Sequence, residues 1–402
     1  MEKMKNPIIK YSSFWESSPI NVDNSSNESN QILSKDKLIE QVEKTIRSCK
    51  YKLDYKLNDP VNTPEIICDF INKYYVVSED SQYGLVYTPD ILKYYMENAL
   101  TICFYSTLKN NNITDNKIIG VIIGKKESIM VGRKLLDCVE VNFLSLHKNI
   151  RNLNLAPLMI SILTREVVKN YSICIAHYTI CQKIKCDHYC LKYQYHRMIN
   201  IDKLFEYKFI RDENPLNIDL YKEKYLEFIY GIKNLNIVYY NSKISDKKLS
   251  DDLINFLYQN TLNYNKLENY IWEHKTFEQF AMLFKQNFFH HFFFIDESGT
   301  ELKFRNYMCV YELDNKNFNN NITYTNGYIY LGFYQDNIGE LIEYLSCYSY
   351  KNKLFDMITW TDFFKIDYPN LKAIRGDTPL KYYLFNSNIS RIPSLFNGMV
   401  TI

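Results

Sequence analysis

The chain of 402 residues carries 48 basic and 46 acidic side chains, so its formal net charge is +2. Such a length predicts two domains of ordinary size, and the near-neutral charge argues against nucleic acid as a partner. No apolar run approaches the roughly 20 residues that a membrane-spanning helix needs. The ten cysteines occur without a secretory signal, which predicts reduced thiols in a cytoplasmic protein.

Apolar periodicity and turn residues predict alternating helices and strands in the first half of the chain. The polar segment 21–33 is typical of a flexible link. In chain order, the predicted elements are helices over 34–50 and 64–76, a hairpin over 118–134 that turns at Gly124, Lys125 and Lys126, a strand over 138–148, a helix from Leu155 to about Asn170 with an apolar face at Leu155, Leu158, Met159, Ile162, Leu163 and Val167, and a strand over 171–180.

A similar pattern starts again at about residue 211. Both halves run from helices to a strand hairpin and then to a strand–helix–strand unit, although they share no close sequence repeat. We therefore expect a mixed α/β protein with a duplicated architecture. In the second half, the pattern predicts helices over 251–262, 276–284 and 338–350 and strands over 290–298, 304–313 and 326–335.

The segment 139–157, "VEVNFLSLHKNIRNLNLAP", predicts a strand that passes through a short loop into a helix. The first backbone N–H groups of a helix lack internal partners and the helix dipole adds positive potential, so this is a potential anion site. Pro157 suits the first turn, and Arg151 would add a direct phosphate contact. Many such units bind nothing, so the pattern alone leaves a purely structural role open.

Several segments resemble, in the same order, the motifs of the glycylpeptide N-tetradecanoyltransferases (N-myristoyltransferases). The signature strand and phosphate loop of that family are similar to "EVNFLSLHKNIRNLNLAP" (140–157). The resemblance covers nearly the whole chain, is weakest at 215–350, and extends to the family's C-terminal length. The other similar segments are "YSSFWESSPI" (11–20), "YYVVSEDSQYGLVYTPDIL" (74–92), "HYTI" (177–180), "YHRMINIDKL" (195–204) and "RGDTPLKYYLFN" (375–386).

The resemblance implies a fold of two acetyltransferase-like (GNAT) halves that share one saddle-shaped mixed sheet. It assigns 1–33 to an N-terminal arm that contains an acyl-CoA-contacting segment and the flexible link. Residues 34–210 would form the acyl-CoA-binding half and 211–402 the peptide-binding half. The implied activity is transfer of a tetradecanoyl group from CoA to the N-terminal glycine amine of proteins. The implied enzyme is a monomer that uses tetradecanoyl-CoA as co-substrate and needs neither a cofactor nor a metal.

For the acyl-CoA, the resemblance implies contacts in the N-terminal arm and along the signature strand and loop. The backbone N–H groups of Phe143 and Leu144 would stabilise the charge that develops on the thioester oxygen. A strand frees two amides only where its ladder is broken, so we expect a β-bulge there. The acyl-CoA residues that the resemblance implies are Ser13, Phe14, Trp15, Phe143, Leu144, Ser145, Leu146, Arg151, Asn152, Asn154, Leu155 and Ala156.

For the peptide, the resemblance implies a groove and an unusual base. The glycine ammonium must lose a proton before it attacks, and the family uses its own C-terminal carboxylate, here that of Ile402. Thr179 would accept a hydrogen bond from the amine and guide its proton. Asp377, Glu79 and Asp80 would bind basic residues of the peptide. The implied substrate-binding residues are Tyr75, Glu79, Asp80, Tyr83, Asn142, Tyr178, Thr179, Tyr195, His196 and Asp377.

Two departures from the family pattern keep other functions open. Leu153 and Asn154 stand where the family's loop is more basic, and Thr378 stands where the family has glycine. One alternative is a GNAT-type transferase of another acyl-CoA. The other is a non-catalytic protein that binds acyl-CoA or acylated peptides.

A group of cysteines and histidines in the middle of the chain raises the question of a metal. Its spacing fits a zinc site poorly, so ordinary thiols in and beside a loop are expected and a metal site is the alternative. The group consists of Cys181, Cys186, His188 and Cys190, with His177 and His196 nearby.

Overall fold

The structure of the protein is a computed structural model. It describes residues 32–51, 53–78, 82–105, 117–181, 184, 187–210, 214, 217–231, 237–245, 249–296, 303–335, 338–362, 371–387 and 389–400.

Helices in the described chain are spread over both halves. They are α1 (Lys35–Ser48), α2 (Pro64–Tyr74), α3 (Pro89–Met96), α4 (Ala156–Tyr171), α5 (Ile201–Tyr207), α6 (Ile218–Gly231), α7 (Asp251–Glu268), α8 (Phe277–Leu283) and α9 (Ile338–Asn352), with short 3-10 helices at Lys148–Leu153 and Ser394–Phe396. None of these described helices is both long and apolar enough to span a bilayer.

Strands alternate with the helices, as expected for a mixed α/β protein. They are β1 (Asp54–Leu57), β2 (Tyr83–Val86), β3 (Ala99–Tyr105), β4 (Ile118–Val131), β5 (Lys134–Leu146), β6 (Ala176–Ile180), β7 (Cys190–Lys192), β8 (Gln194–Met198), β9 (Ile237–Tyr240), β10 (Ile271–Glu273), β11 (Phe289–Asp296), β12 (Lys303–Asn317), β13 (Ile322–Phe333), β14 (Met357–Thr361), β15 (Ile374–Arg375) and β16 (Leu380–Phe385).

Hydrogen-bonded ladders divide the described strands into two sheets of eight, where the resemblance implied one shared sheet. Sheet A has the order β1-β3-β4-β5-β6-β16-β7, with β10 paired to β4. Sheet B has the order β15-β8-β14-β13-β12-β11-β9, with β2 paired to β12. Each sheet contains strands from both sides of residue 211, because β16 and β10 join sheet A whereas β8 and β2 join sheet B. The two halves of the chain are therefore interlocked by backbone pairing.

The prediction of a hairpin over 118–134 that turns at Gly124, Lys125 and Lys126 is wrong. β4 runs without interruption from Ile118 to Val131, and the chain reverses at Gly132, whose φ is +60°. Gly124 instead lies in mid-strand beneath α4, where an added Cβ would come within 3.0 Å of both Leu163 and Val139. Here the glycine permits close helix–sheet packing, a role that a turn signal in the sequence does not distinguish.

Most other predicted elements are confirmed, including the buried apolar face of α4. The predicted strand over 171–180 begins later, because α4 continues to Tyr171 and ends at Ser172, which has a φ of +57°. The strand itself starts at Ala176. β6 pairs in parallel with Val139 and Glu140 in the middle of β5, shortly before the predicted reaction site.

A large aromatic core joins α2 and α3 to the inner faces of both sheets. Its buried members include Phe143 of sheet A and Phe289, Tyr307 and Tyr311 of sheet B. Each such side chain stabilises the fold by about 1.5–3 kcal/mol through removal from water. The core therefore fixes the signature strand against the second half of the molecule.

Candidate active site

The signature strand β5 contains the expected β-bulge. Its ladder with β4 pairs Ser145 with Val121 and then Asn142 with Ile123, so Phe143 and Leu144 together oppose a single residue. Phe143 adopts a φ of +54°, which is unusual for a bulky side chain. The bulge prediction is confirmed, and the strained backbone marks this position as a candidate functional site.

Aromatic rings surround the bulge and hold it in place. The Phe143 side chain is 0% exposed. Its ring centroid lies 4.8 Å from that of Tyr95, 5.1 Å from Tyr87 and 5.3 Å from Tyr75. These packing contacts offset the cost of the left-handed backbone, which is on the order of 1–3 kcal/mol.

The side chain of Asn142 accepts the backbone N–H of Phe143, the donor that was expected to face the thioester oxygen. Asn142 Oδ1 accepts the Phe143 N–H at 2.8 Å and the Tyr75 hydroxyl at 2.6 Å. Burial raises the pKa of Tyr75, so this hydroxyl remains a donor at neutral pH. A substrate oxygen would reach the Phe143 amide only after the Asn142 side chain has moved.

The segment after β5 forms a compact entrance to α4. Lys148–Leu153 is a 3-10 helix, Asn154 is left-handed at a φ of +54°, and α4 starts at Ala156. The first turn of α4 contains proline and no acidic residue. An anion would therefore meet the positive end of the helix dipole without a competing carboxylate in that turn.

Arg151 has a structural role in this loop. Its Nε donates to the Leu146 carbonyl at 3.2 Å and its Nη2 donates to the Tyr74 carbonyl at 2.6 Å. The guanidinium thus ties the end of α2 to the end of β5. Arg151 supports the shape of the predicted phosphate loop as well as its charge.

β6 brings the predicted amine-binding residues to the same edge as the bulge. Glu140 of β5 pairs in parallel with His177 of β6. Asn142 and Thr179 each follow two residues later, and hence lie on the same face of sheet A. The Tyr178 ring stacks on Tyr383 with centroids 5.2 Å apart. The β5–β6 ladder is described as far as Glu140 and His177, and the joint role of Asn142, Phe143 and Thr179 stays a prediction.

Three further predicted groove residues, Tyr83, Tyr195 and His196, lie in sheet B. β8 carries Tyr195 and His196, and its ladder with β15 pairs His196 with Ile374. A Cβ added at Gly376 would be 3.2 Å from His196 Nε2. Asp377 follows as an exposed residue. Three rings connect Tyr83 to His196 through successive contacts, and these rings belong to Tyr207, Tyr324 and Phe209.

His196 is a poor candidate for a general base. Its Nδ1 donates to Thr359 Oγ1 at 2.9 Å, and Thr359 in turn donates to Asn326. Burial lowers the pKa of His196 to about 4. The ring is therefore neutral at pH 7, with a pKa too low to take a proton from an ammonium efficiently.

The C-terminal tail is held inside the molecule as far as it is described. Asn397 bridges to Ile271 in parallel, and the Gly398 N–H donates to the Ile271 carbonyl at 2.7 Å. The Met399 N–H donates to Asn397 Oδ1 at 3.0 Å, while its carbonyl accepts from Lys192 Nζ at 3.0 Å. Six predicted site residues lie outside the described residues, namely Ser13, Phe14, Trp15, Glu79, Asp80 and Ile402.

A buried charged cluster beside the reaction site was missed from the sequence. His177 Nε2 donates to Glu127 Oε2 at 3.1 Å, and Lys125 Nζ lies 3.8 Å from Glu127 Oε1. Glu140 is the third acid–base member, with one potential ligand atom from each of Glu127, Glu140 and His177 lying within 4.8 Å of the others. Lys125 and Glu127 lie two positions apart on β4, and Lys125 pairs with Glu140 across the ladder. The prediction of a turn at this place hid the pattern.

The cluster is balanced by its own ammonium groups. Lys125 and Lys275 both act on Glu127, which removes the electrostatic need for a bound cation. Among the described residues, the cluster that is close enough to hold a metal ion consists of Glu127, Glu140 and His177. It does not include Cys181, His188 or Cys190. Cys186 lies outside the described residues. His177 belongs to the carboxylate cluster, so the structure does not assemble the alternative Cys/His metal site from these described residues.

This arrangement shifts the pKa values of the Glu140 and Glu127 carboxyls in opposite directions. Burial raises the pKa of Glu140, and the nearby Glu127 carboxylate adds to the effect. Burial opposes the charged form of Glu127, but the His177 hydrogen bond and the Lys125 ammonium lower its pKa. Burial also opposes protonation of His177, yet the Glu127 hydrogen bond and surrounding carboxylates raise its pKa.

We expect Glu140→Gln to remove the loss of stability with rising pH that the ionisation of Glu140 causes in the wild type. As pH rises above about 4.5, Glu140 ionises in the unfolded chain before it does so in the folded chain, so folding loses free energy. His177 acts in the same direction above its ordinary pKa of about 6.5. Measured against the variant, the wild type should lose about 1–3 kcal/mol between pH 5 and 8. Urea unfolding at several pH values measures this loss.

Glu312→Gln is the matched control for this measurement. Glu312 also accepts from a histidine, His290, at 3.0 Å, but its side chain is 40% exposed. It should therefore leave the wild-type slope in place. A stability difference between the wild type and Glu140→Gln that stays constant from pH 5 to 8 would contradict the raised pKa of Glu140.

Known proteins resemble this chain in sequence and in fold. Residues 32–187 match the family model described as "Myristoyl-CoA:protein N-myristoyltransferase, N-terminal domain". A glycylpeptide N-tetradecanoyltransferase of Plasmodium falciparum is 26% identical over 339 residues, which cover 80% of this chain and 75% of that one. A putative glycylpeptide N-tetradecanoyltransferase of Amsacta moorei entomopoxvirus is 26% identical over 226 residues, or 56% of this chain and 70% of that one.

A solved structure extends the similarity to both sheets. The N-myristoyltransferase of Saccharomyces cerevisiae, determined with bound myristoyl-CoA, has a TM-score of 0.75 at 18% identity. The alignment covers 98% of this chain and 100% of the yeast chain. The shared fold therefore includes the interlocked second half that lies beyond the family-model match.

Proposed function

We propose that the chain is a member of the N-myristoyltransferase family, whose N-terminal domain residues 32–187 match, and that it transfers a tetradecanoyl group from CoA to the N-terminal glycine amine of proteins. The observation that carries this proposal is the bulge at Phe143, which lies between the start of α4 and the Asn142–Thr179 edge. An acyl thioester and an amine would meet at that bulge. The catalytic residues proposed are Phe143, Leu144, Thr179 and Ile402.

In the proposed acyl-CoA site, the CoA phosphates lie at the amino end of α4. The supporting feature is a first helical turn without acidic residues. Arg151 shapes the loop from within through its carbonyl contacts. The remaining proposed contacts are Ser13, Phe14, Trp15, Ser145, Leu146, Asn152, Asn154, Leu155 and Ala156.

In the proposed peptide site, the two groups of groove residues hold different parts of the substrate. Asn142, Tyr178 and Thr179 receive the glycine amine, while the exposed carboxylate of Asp377 binds a basic residue further along. Tyr75 contributes through its bond to Asn142. The remaining proposed contacts are Glu79, Asp80, Tyr83, Tyr195 and His196.

The proposed enzyme is a cytoplasmic monomer that uses tetradecanoyl-CoA as co-substrate and needs no cofactor. Its N-terminal arm (1–33) and residues 34–210 serve the acyl-CoA, and residues 211–402 contribute the peptide groove. Support for a reducing compartment comes from Cys68, Cys103 and Cys138, which are buried thiols.

A peptide acylation assay tests the proposed function. With tetradecanoyl-CoA, a peptide that begins Gly-x-x-x-Ser should be acylated, whereas the same peptide beginning with Ala should not. This selectivity is expected if the proposed amine site around Asn142 and Thr179 is too confined for an added Cβ. Equal rates on the two peptides would contradict glycine selectivity. Binding of tetradecanoyl-CoA without any transfer would favour the non-catalytic alternative, and preference for a shorter acyl-CoA the other transferase.

A further inference from the structure

We propose that the Tyr75 hydroxyl and the Asn142 side chain form a latch that covers the Phe143 amide until the peptide amine arrives, so that water is a poor acyl acceptor. The latch is defined by these three residues, all of which the structure describes. This inference rests on the proposed function for the identity of the acyl donor, and it adds how the site distinguishes two acceptors. The hydrogen bonds of the latch are a property of the chain without substrates.

A single side-chain oxygen holds the latch closed. Asn142 Oδ1 accepts the Phe143 N–H at 2.8 Å and the Tyr75 hydroxyl at 2.6 Å. The bulge takes Phe143 out of register with β4, and a buried N–H that lacks an acceptor is costly. Asn142 therefore satisfies this amide in the substrate-free chain, at the position where a thioester oxygen would bind.

The end of α2 fixes the Tyr75 hydroxyl in its place. The Tyr75 N–H donates to the Ile71 carbonyl at 2.7 Å, and the carbonyl of the preceding Tyr74 accepts from Arg151 Nη2 at 2.6 Å. The Tyr75 ring also packs on the Phe143 ring, with centroids 5.3 Å apart. Because Arg151 belongs to the loop of the proposed acyl-CoA site, we expect the latch to stay closed while acyl-CoA alone is bound.

An ammonium opens this latch more readily than water does. Asn142 Oδ1 is a hydrogen-bond acceptor, and a bond from a charged donor is roughly twice as strong as one from a neutral donor. The glycine ammonium therefore competes for Oδ1 with an advantage that a water molecule lacks. Once Oδ1 has turned to the ammonium, the Phe143 N–H becomes available to the thioester oxygen.

The reaction that the closed latch suppresses is hydrolysis of the acyl thioester. In hydrolysis, a water oxygen bonds to the thioester carbon and the carbon–sulfur bond breaks. One proton of the water passes to the CoA thiolate, and the other is released to solvent from the fatty acid. Negative charge develops on the thioester oxygen as it does in transfer, and loss of one donor to such an oxygen typically lowers the rate by about 10²–10³-fold. A covered Phe143 amide therefore protects the acyl-CoA from water.

Release of tetradecanoic acid from tetradecanoyl-CoA without peptide tests the latch, and mass spectrometry measures it. Tyr75→Phe keeps the ring but removes one of the two hydrogen bonds that hold Asn142 Oδ1. Hydrolysis should therefore rise by about 2–10-fold, the shift that one lost hydrogen bond produces. Tyr87→Phe is the matched control, because the Tyr87 ring packs on the same Phe143 ring at 5.1 Å between centroids and the variant retains that ring. It should leave hydrolysis unchanged.

Asn142→Ala separates the latch from a general loosening of the site. It removes the oxygen that covers the Phe143 amide, so hydrolysis should rise at least as much as in Tyr75→Phe. Transfer to a Gly-start peptide should fall, because Asn142 is also proposed to receive the amine. Tyr75→Phe should add nothing in the Asn142→Ala background. Hydrolysis that is unchanged in Tyr75→Phe, that rises equally in Tyr87→Phe, or that rises additively in the double variant would overturn the proposal.

NMR of the Phe143 amide tests the latch without any reaction. The chain is labelled with [¹⁵N]phenylalanine, and the signal is assigned by its loss in Phe143→Leu. In Asn142→Ala the amide proton should shift upfield, because it loses the acceptor that it has in the wild type, whereas Tyr87→Phe should leave it in place. An amide signal that Asn142→Ala does not move would overturn the latch. A wild type that transfers no acyl group would contradict the proposed function, and the amide signal would still decide on the latch.

Discussion

Deletion of Thr401 and Ile402, or a short tag added after Ile402, is expected to lower kcat for acyl transfer by about 10²–10⁴-fold, the usual contribution of a general base. Acyl-CoA binding should persist, because its proposed site is formed by β5, the loop after it and the start of α4, and not by the tail. The reason is that the proposed base is the C-terminal carboxylate, and the tail is anchored inward as far as Met399. Single-turnover transfer and an acyl-CoA binding titration measure the two effects.

Ile402→Leu is the control for this experiment, because it alters the last side chain but retains the carboxylate. It should transfer at close to the wild-type rate. A tagged chain that keeps the wild-type rate would remove the C-terminal carboxylate as the base. His196, with its pKa lowered to about 4 by burial, would be a poor replacement, and the buried Glu140 would become the next residue to test.

Local sequence signals were sufficient for the strand, loop and helix at the proposed acyl-CoA site. The apolar spacing from Leu155 to Val167 predicts the buried face of α4, and Pro157 marks its first turn. The bulge at Phe143 was predicted from the family resemblance, which implies that two amides of this strand leave the ladder to face a substrate. These features depend on residues close together in the chain, so they are visible before folding.

Features that depend on distant residues were not visible in this way. Gly124 resembles a turn residue, but α4 packs against it. Lys125 resembles a solvated loop residue, but it lies within a charged cluster completed by His177. The bond between Asn142 and the Phe143 amide likewise depends on how the bulge orients one side chain. A single sequence reports none of these contacts, because each requires the relative positions of separate strands or an exact local rotamer.

Phe143→Ala is expected to cost about 3–5 kcal/mol of unfolding free energy, as large truncations in a core do. It should also reduce acyl transfer by at least about 10²-fold, the loss typical when one oxyanion donor is removed. The ring is enclosed by Tyr75, Tyr87 and Tyr95, and without those contacts the left-handed backbone at this position is free to relax. The amides of the bulge would then no longer be held towards the thioester. Urea unfolding and single-turnover transfer give the two numbers.

Phe104→Ala separates the loss of stability from the loss of activity. Phe104 of β3 is also 0% exposed, but it belongs to the core cluster on the α4 side of sheet A. Its truncation should cost a similar 3–5 kcal/mol, yet it leaves the bulge and its aromatic enclosure unchanged. Transfer must be compared at a temperature where both variants remain folded. If Phe143→Ala then transfers as fast as Phe104→Ala, the bulge supports the fold alone and the acyl oxygen is stabilised elsewhere.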